Sequence, residues 1–287
     1  MASLEDPAIR NVSDTARWVA VYRAQESERP DALFHDPYAR ALAGERGARI
    51  AAQATLTNKH SWSLVERTWL VDQIIAGELA AGTDMVVNLA AGLDARPYRL
   101  LLPPALQWVE VDLPGILAYK ESILAGATPR CQLRREPCDL ADAAARRALF
   151  DRLGARAQRA LILTEGLLIY LSAAAAAGLA RDLAAQPAFQ RWAFDLASPG
   201  LLRMMNRKMG EDVARAGAPF QFAPANGPKF FLPCGWRSLR TETMLRSAFK
   251  HHRLSWPMRL AAIMPQTHPG NGRRPWSAVC LLGPALP

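Results

Sequence analysis

The stretch VVNLAAGLDARPYRL, residues 86–100, begins as an apolar run typical of a buried strand and ends as a charged turn broken by proline. Gly92, Asp94 and Arg96 follow the apolar run closely. Small residues at the end of a strand let the backbone approach a ligand. The stretch therefore predicts a first strand followed directly by a binding turn.

The rest of the chain predicts an α/β fold with a Rossmann-like, mostly parallel sheet. Short apolar runs predict strands over residues 85–90, 106–111, 131–136, 160–164 and 191–195, each followed by a turn and a helix-compatible stretch. Strands that alternate with helices in this way favour a parallel sheet covered on both faces. Residues 241–249 predict a helix, and residues 251–256 and 277–282 predict a final antiparallel strand pair.

The segments before and after these parallel strands differ in character. Residues 1–84 have helical periodicity and proline-marked turns, which predict an N-terminal helical cap before the first strand. Residues 85–287 form the predicted core. Within that core, residues 198–235 are rich in charge, Met, Pro and Gly, and they predict an inserted lid in an otherwise single compact unit.

Composition narrows the class of protein. The formal net charge of +9 comes from scattered Lys and Arg residues without interleaved aromatics, which argues against a nucleic-acid surface. The four cysteines form no CxxC pair and show no ligand spacing with the histidines, so we expect reduced thiols in the cytoplasm and no metal site. No signal segment or membrane span is expected.

Acidic residues follow the predicted strands at the edge where a parallel sheet binds ligands. Asp94, Asp112, Asp139 and Glu165 each come at or just after the end of a strand. Asp112 could instead cap the helix that begins at Pro114, and Asp139 could be a second cap. Glu165 lies within an apolar run and needs a partner or a ligand to offset its desolvation.

The acidic turn favours a cationic cofactor over a dinucleotide. A pyrophosphate needs a phosphate-cradling turn such as GxGxxG, and the carboxylate of Asp94 would repel it. S-adenosyl-L-methionine presents a sulfonium, an amino group, a carboxylate and a ribose. A pocket of carboxylates with one or two arginines therefore fits it better.

Six segments give the chain a family resemblance. They are DTARWVAVYRAQESERPDALFHDPYARALAG, ERTWLVDQII, VVNLAAGLDARPYRL, WVEVDLPGILAYK, CDLAD and LILTEGLLIYLS, and they span residues 14 to about 172. In order and spacing the chain resembles the leucine carboxyl methyltransferase family, in particular its bacterial branch of S-adenosylmethionine-dependent O-methyltransferases. The resemblance implies a class I methyltransferase sheet and methyl transfer to oxygen.

The resemblance also implies cofactor contacts in the first half of the chain. Arg67 would pair with the carboxylate of the cofactor, and Arg17 would assist it. Gly92 would pass close under the cofactor, with Asp94 nearby. Ala90 stands where glycine is common in the family, and an alanine there favours a turn with negative φ.

Further contacts are implied along the next strands. Asp112 and the adjacent Leu113 would meet the ribose, since Asp112 lies 24 residues beyond Asn88, near the ~20-residue offset typical of nucleotide-binding βαβ units. Asp139 and Leu140 would hold the adenine. Glu165 would face the amino group of the cofactor, and Tyr170 would line the cleft.

The acceptor is predicted to be a small acidic or phenolic metabolite, and the resemblance to the bacterial branch implies polyketide-type secondary metabolism. A carboxylate needs no general base, whereas a phenol or enol would need one, for which His35, His251, Tyr22 and Tyr170 are candidates. Two alternatives remain at this point: a methyltransferase for the C-terminal carboxylate of a protein, and a non-catalytic S-adenosylmethionine-binding protein. A nicotinamide enzyme is disfavoured, and the oligomeric state is left open.

Overall fold

Helices precede the sheet, as the sequence predicts. The computed structural model describes residues 12–53, 61–215, 217–263 and 274–285. In its first part lie α1 (Val12–Ser27), α2 (Ala39–Gln53) and α3 (Trp62–Ala80). Residues 1–11, on which the expectation of no signal segment rests, lie outside the described residues. The division into a cap and a core stays a prediction.

The sheet has seven strands in the order β3-β2-β1-β4-β5-β7-β6. Their bounds are β1 Met85–Leu89, β2 Gln107–Asp112, β3 Gln132–Pro137, β4 Ala160–Thr164, β5 Phe189–Ala197, β6 Trp236–Thr243 and β7 Ser277–Pro284. Strands β1 to β5 pair in parallel, and β7 pairs antiparallel with both β5 and β6. The predicted Rossmann-like sheet with an antiparallel C-terminal pair is confirmed.

The helices between and after the strands complete the α/β alternation. They are α4 Arg96–Arg99, α5 Pro114–Ile123, α6 Ala143–Gly154, α7 Ala173–Ala184, α8 Pro199–Arg215, α9 Met244–Lys250 and α10 Trp256–Ile263, with 3₁₀ helices at Leu168–Tyr170 and Gly227–Cys234. Residues 198–235, the predicted lid, contain one long helix and one 3₁₀ segment among the residues that the structure describes. Within the described ranges, no helix combines the length and apolarity needed to cross a membrane.

The predicted strand over residues 251–256 is wrong. Residues 251–255 form a turn and a bend before α10, and the strand that pairs with β7 is β6, Trp236–Thr243. Residues 241–243 accordingly belong to β6, and the following helix begins only at Met244. Because β6 is an edge strand in which four of the eight residues are exposed and one is buried, it lacks the apolar pattern that marks a buried strand.

The core covers both faces of the sheet, and successive residues of β1 alternate between them. Val86 packs with Leu70 and Trp108 in one cluster, beneath α3. Val87 packs in the other cluster with residues of α6 and α7, including Phe150. All five β1 residues are buried, as expected of a central parallel strand. This burial fixes the position of the turn that follows β1.

The turn after β1 holds an alanine in a conformation that favours glycine. Ala90 has φ +52°, so the expectation of negative φ at this position is wrong. Gly92 follows with φ +48°, and the N–H of Ala91 donates to the carbonyl of Val111 at 3.2 Å. An L-residue in this region costs roughly 1–2 kcal/mol. The requirement for positive φ explains why a glycine suits position 90.

We predict that Ala90→Gly leaves the free energy of unfolding unchanged or raises it by up to about 1.5 kcal/mol. Removal of Cβ relieves roughly 1–2 kcal/mol of strain, while the added freedom of the unfolded chain costs roughly 0.5–1 kcal/mol. Ala91→Gly is the control: the neighbouring Ala91 is buried and has no positive φ, so its replacement lowers stability. Urea unfolding of both variants measures this, and equal destabilisation would contradict the role of strain at Ala90.

Candidate functional site

A cavity of about 610 Å³ opens at the carboxyl ends of β1, β2, β4 and β5. The chain order reverses between β1 and β4, which is the position where open α/β sheets bind ligands. Residues from α1, α3 and α8 enclose the cavity from the other side. The sequence and the topology therefore place the charged strand ends and the predicted lid around one space.

Asp112 joins the ends of the first two strands. Its Oδ2 accepts a hydrogen bond from the Gly92 N–H at 2.7 Å, and its Oδ1 accepts from the Leu113 N–H at 2.7 Å. Leu113 is the N-cap residue of α5, and no side chain caps that helix. Asp112 is therefore not a helix cap; its carboxylate fixes the β1 turn against the end of β2 at the cavity wall.

The guanidinium of Arg96 lies at the centre of a buried group of carboxylates. Its Nη1 lies 2.7 Å from Asp94 Oδ2 and 2.8 Å from Glu165 Oε2, and its Nε donates to Asp72 Oδ1 at 2.6 Å. The Arg96 side chain is 3% exposed. One cation thus connects α3, the β1 turn and the segment after β4, and we call Arg96, Asp72, Asp94 and Glu165 the Arg96 cluster.

Arg67 of α3 extends this charge pattern to the fifth strand. Its Nε donates to Glu165 Oε1 at 3.0 Å, and its Nη1 donates to Asp195 Oδ2 at 3.3 Å. Gly166, with φ +70°, has no side chain to displace the guanidinium, since a Cβ there would lie 3.3 Å from Arg67 Nη1. The Gly166 N–H donates to Asp195 at 2.5 Å. Two neighbouring strand ends therefore hold Arg67 in place.

The carboxylates of the cavity differ in their electrostatics. Burial raises the pKa of Asp94 and of Glu165, but Arg96, assisted at Glu165 by Arg67, outweighs it and holds each pKa below its ordinary value. Burial raises the pKa of Asp112 above its ordinary value, although the N–H groups of Gly92 and Leu113 oppose the shift. Asp94 and Glu165 therefore stay ionised at neutral pH.

Most of the predicted cofactor residues line this cavity. Those that do are Arg67, Ala90, Gly92, Asp94, Asp112, Leu113, Glu165 and Tyr170. The guanidinium of Arg17 lies elsewhere, 3.7 Å from the centre of the Tyr119 ring. Asp139 is exposed and accepts from the Ala141 N–H at 2.9 Å, and the neighbouring Leu140 accepts through its carbonyl from Arg146. Arg17, Asp139 and Leu140 therefore lie outside the cavity wall.

Some residues of the site were missed from the sequence. Asn88 donates to Asp94 at 2.9 Å, and Arg96 and Asp195 supply the pairs described above. Arg96 stands in the stretch 86–100, and Asp195 is the last residue of a predicted strand, so both could have been recognised as candidate site residues. Asp72 lies within a helix and carried none.

The candidate bases lie mostly away from the cavity. His35 contacts the Ser27 carbonyl, His251 contacts Glu66 at 2.9 Å, and Tyr22 accepts from Trp18. Tyr170 is the candidate that lines the cavity, and burial raises its pKa. Among the described residues, no group of three or more His, Cys, Asp or Glu side chains could hold a metal ion.

Relatives with similar sequences come from actinobacteria. A "Putative S-adenosyl-L-methionine-dependent methyltransferase" of Parafrankia is 40% identical over 185 residues, which cover 60% of this chain and 58% of the relative. A relative of the same name from Mycobacteroides abscessus is 37% identical over 190 residues, covering 60% and 61%. The chain thus spans about three fifths of the length of these relatives.

Solved structures match the fold over nearly the whole chain. A DUF574 family protein from Streptomyces avermitilis has a TM-score of 0.60 at 13% identity, covering 93% of this chain and 96% of its own. A methyltransferase-like protein from Thermobifida fusca has a TM-score of 0.55 at 15% identity, covering 98% and 97%. At such identities the likeness concerns the fold alone.

The family assignment rests on the segment that carries the site. The family model described as leucine carboxyl methyltransferase matches residues 16–184, which is more than half of the chain. The matched segment includes the β1 turn, Asp112, Arg67 and the Arg96 cluster. The chain belongs to the leucine carboxyl methyltransferase family.

Proposed function

We propose that this protein is an S-adenosylmethionine-dependent O-methyltransferase that methylates a carboxylate of a small metabolite. The main support is the hydrogen bond from the Gly92 N–H to Asp112. It holds a carboxylate next to the glycine turn after β1, where the strand order of the sheet reverses. Family membership and the names of the relatives support the same activity. The unpaired cysteines support a reducing compartment such as the cytoplasm.

Asp112, Arg67, Glu165 and Asp94 form what we call the polar wall, and they fit the parts of this cofactor. Asp112 has acceptor capacity left for the ribose hydroxyls, since each oxygen accepts one N–H in the structure. The hydrogen bonds of Arg67 to Glu165 and Asp195 do not use Nη2. This nitrogen would donate a hydrogen bond to the carboxylate of the cofactor. Glu165 and Asp94 offer negative charge to the ammonium and the sulfonium.

The remaining predicted contacts take lesser roles in this proposal. Asp139 and Leu140 lie after β3, next to the strand end that carries Asp112, and would border the adenine from outside the cavity. Arg17 would assist only after leaving the ring of Tyr119. Tyr170 would line the acceptor side of the cleft.

The reaction asks mainly for alignment. The bound cofactor would supply a methyl group already activated by its positive sulfur. The chain would hold donor and acceptor in line and exclude water, and such positioning contributes roughly 7–11 kcal/mol. Proton transfer by the protein is not required when the acceptor oxygen is already ionised.

The bases available in the cavity favour a carboxylate over a phenol. No histidine lines the cavity among the described residues, and the raised pKa keeps Tyr170 protonated at neutral pH. Arginines hold Glu165 and Asp94 as anions of lowered pKa, which makes them weak bases. An acceptor that brings its own ionised oxygen therefore suits this site better.

The activity is tested by cofactor binding and product analysis. Isothermal titration should detect binding of S-adenosylmethionine, and no binding at millimolar cofactor would refute the proposal. With methyl-labelled cofactor and host extract, label should enter an organic-soluble, base-labile ester. Label in a protein band would favour the C-terminal carboxyl methyltransferase. Binding without S-adenosylhomocysteine production would favour the non-catalytic alternative.

We predict that Asp112→Ala weakens cofactor binding at least tenfold, because the ribose hydroxyls lose their acceptor. Asp142→Ala is the matched control: Asp142 caps α6 by accepting from the Ala144 and Ala145 N–H groups and lies outside the cavity. Its loss should cost about 0.5–2 kcal/mol of stability and leave affinity unchanged. Titration calorimetry and thermal unfolding separate the two effects, and unchanged affinity in Asp112→Ala would contradict the ribose contact.

We predict that Arg96→Gln makes cofactor affinity fall as the pH is lowered from 8 to 5. Without the guanidinium, burial would raise the pKa of Asp94 and Glu165, so both would lose negative charge on acidification. The unchanged protein should keep a flatter profile because its carboxylates have lowered pKa values. Arg96→Lys should restore part of the flat profile. Parallel pH profiles in the Gln variant and the unchanged protein would contradict this role.

A further inference from the structure

We propose that the acceptor is an apolar monocarboxylic acid of medium length, whose hydrocarbon body lies along the cavity-lining face of α8 and the aromatic wall next to it. This inference rests on the proposed function and names the acceptor class of the same site. The observations that support it concern the half of the cavity away from the Arg96 cluster.

One face of α8 lines this half of the cavity. Leu201, Met204, Met205 and Lys208 all border the space. Their spacing of i, i+3, i+4 and i+7 places them on a single side of a helix. Three of the four side chains are apolar, and two are methionines, whose flexible thioethers adapt to hydrocarbon of different shapes. The lid helix therefore presents an apolar surface with a cation at one end.

The wall next to this face of α8 is aromatic and aliphatic. Trp18 of α1, Ile50 of α2 and Phe220 belong to one buried cluster, and Met205 packs against it. The rings of Tyr170 and Phe220 lie 5.5 Å apart and continue this wall. We call Trp18, Ile50, Tyr170 and Phe220 the aromatic wall. Because both the aromatic wall and the lining face of α8 are apolar, burial of hydrocarbon there is favourable and burial of peptide groups is costly.

Backbone hydrogen bonds hold the wall in place. The N–H groups of Gln221 and Phe222 both donate to the carbonyl of Ile169, at 2.7 and 3.1 Å. Asn206 of α8 donates through Nδ2 to the carbonyl of Phe220 at 3.3 Å. These bonds connect the lid helix, the segment after it and the 3₁₀ helix after β4. The apolar half is thus formed before a ligand binds, which lowers the entropy cost of binding.

Charge selects an acid for this space. Lys208 is exposed and borders the cavity at the end of the lining face. A cation at the mouth of an apolar cavity attracts anions to it. The carboxylate would then be methylated at the polar wall, and the chain would remain in the apolar half. Methylation removes the charge, so the ester loses the attraction that brought the acid in.

The test is a chain-length series of straight monocarboxylic acids with four, six, eight and ten carbons. Up to the length of the cavity, kcat/KM should rise by up to about fourfold per methylene, since each buried CH₂ contributes ~0.8 kcal/mol and 1.4 kcal/mol is a factor of ten. A flat or falling series, or a better rate with a short peptide acid, would overturn the inference while methyl transfer to any acid would still support the proposed function.

Two substitutions in α8 test whether the dependence on chain length comes from the lining face. Met205→Gln should reduce the gain per methylene at least twofold, because it places an amide in the apolar half. Arg203→Gln, on the exposed side of the same helix, should leave the series unchanged. Equal slopes in the two variants would overturn the inference.

Direct binding separates this inference from the proposed function. Quenching or enhancement of tryptophan fluorescence by octanoate and by butyrate, without cofactor, reports on the wall that includes Trp18. Octanoate should bind at least tenfold more tightly than butyrate, even if the protein does not bind S-adenosylmethionine. Equal affinity for the two acids would overturn the apolar subsite by itself.

Discussion

The buried guanidinium of Arg96 is the constraint on which the site depends. It contacts Asp72 of α3, Asp94 of the β1 turn and Glu165 after β4, so three separate parts of the chain meet at one cation. Loss of one partner of a buried ion pair typically costs about 3–5 kcal/mol, because the other charge remains desolvated. The cluster therefore fixes the N-terminal helices and the strand ends in one arrangement and simultaneously sets the charge of the polar wall.

The same cluster couples the site to pH. Asp94 and Glu165 have lowered pKa values in the folded protein, so their contribution to stability is present at neutral pH and is lost as the pH falls through those values. Asp112 has the opposite sign: its raised pKa means that ionisation is less favourable in the fold than in the unfolded chain. Hydrogen bonds from the ribose hydroxyls to the Asp112 carboxylate would favour its ionised form and lower that pKa. The polar wall thus combines two anions that arginines already stabilise with one that the ribose would stabilise further.

The sequence predicted the parts of the fold that burial determines. Strands β1, β2, β4 and β5 are recognisable because most of their residues are buried and form apolar runs such as VVNL. The two edge strands, β3 and β6, have at most one buried residue each; β3 was nevertheless predicted, whereas β6 was missed. Glu165 was recognised from its cost within an apolar run, whereas its partner Asp72 lies in a helix where a carboxylate is ordinary. A contact between distant segments leaves no local pattern, so the sequence showed Arg96 and the carboxylates but not that they meet.

The two halves of the cavity come from different parts of the chain. The family match ends at residue 184, and it contains Arg67, Asp112 and the whole Arg96 cluster. Helix α8 and Phe220 lie after it, so much of the proposed acceptor surface lies outside the matched segment. This separation has a physical basis: the polar wall is built from strand ends whose charges are mutually dependent, and a change in one exposes the others. The apolar wall depends on hydrophobic contacts, which tolerate exchange of one hydrocarbon side chain for another of similar volume. A fold arranged in this way can keep one cofactor and change its acceptor.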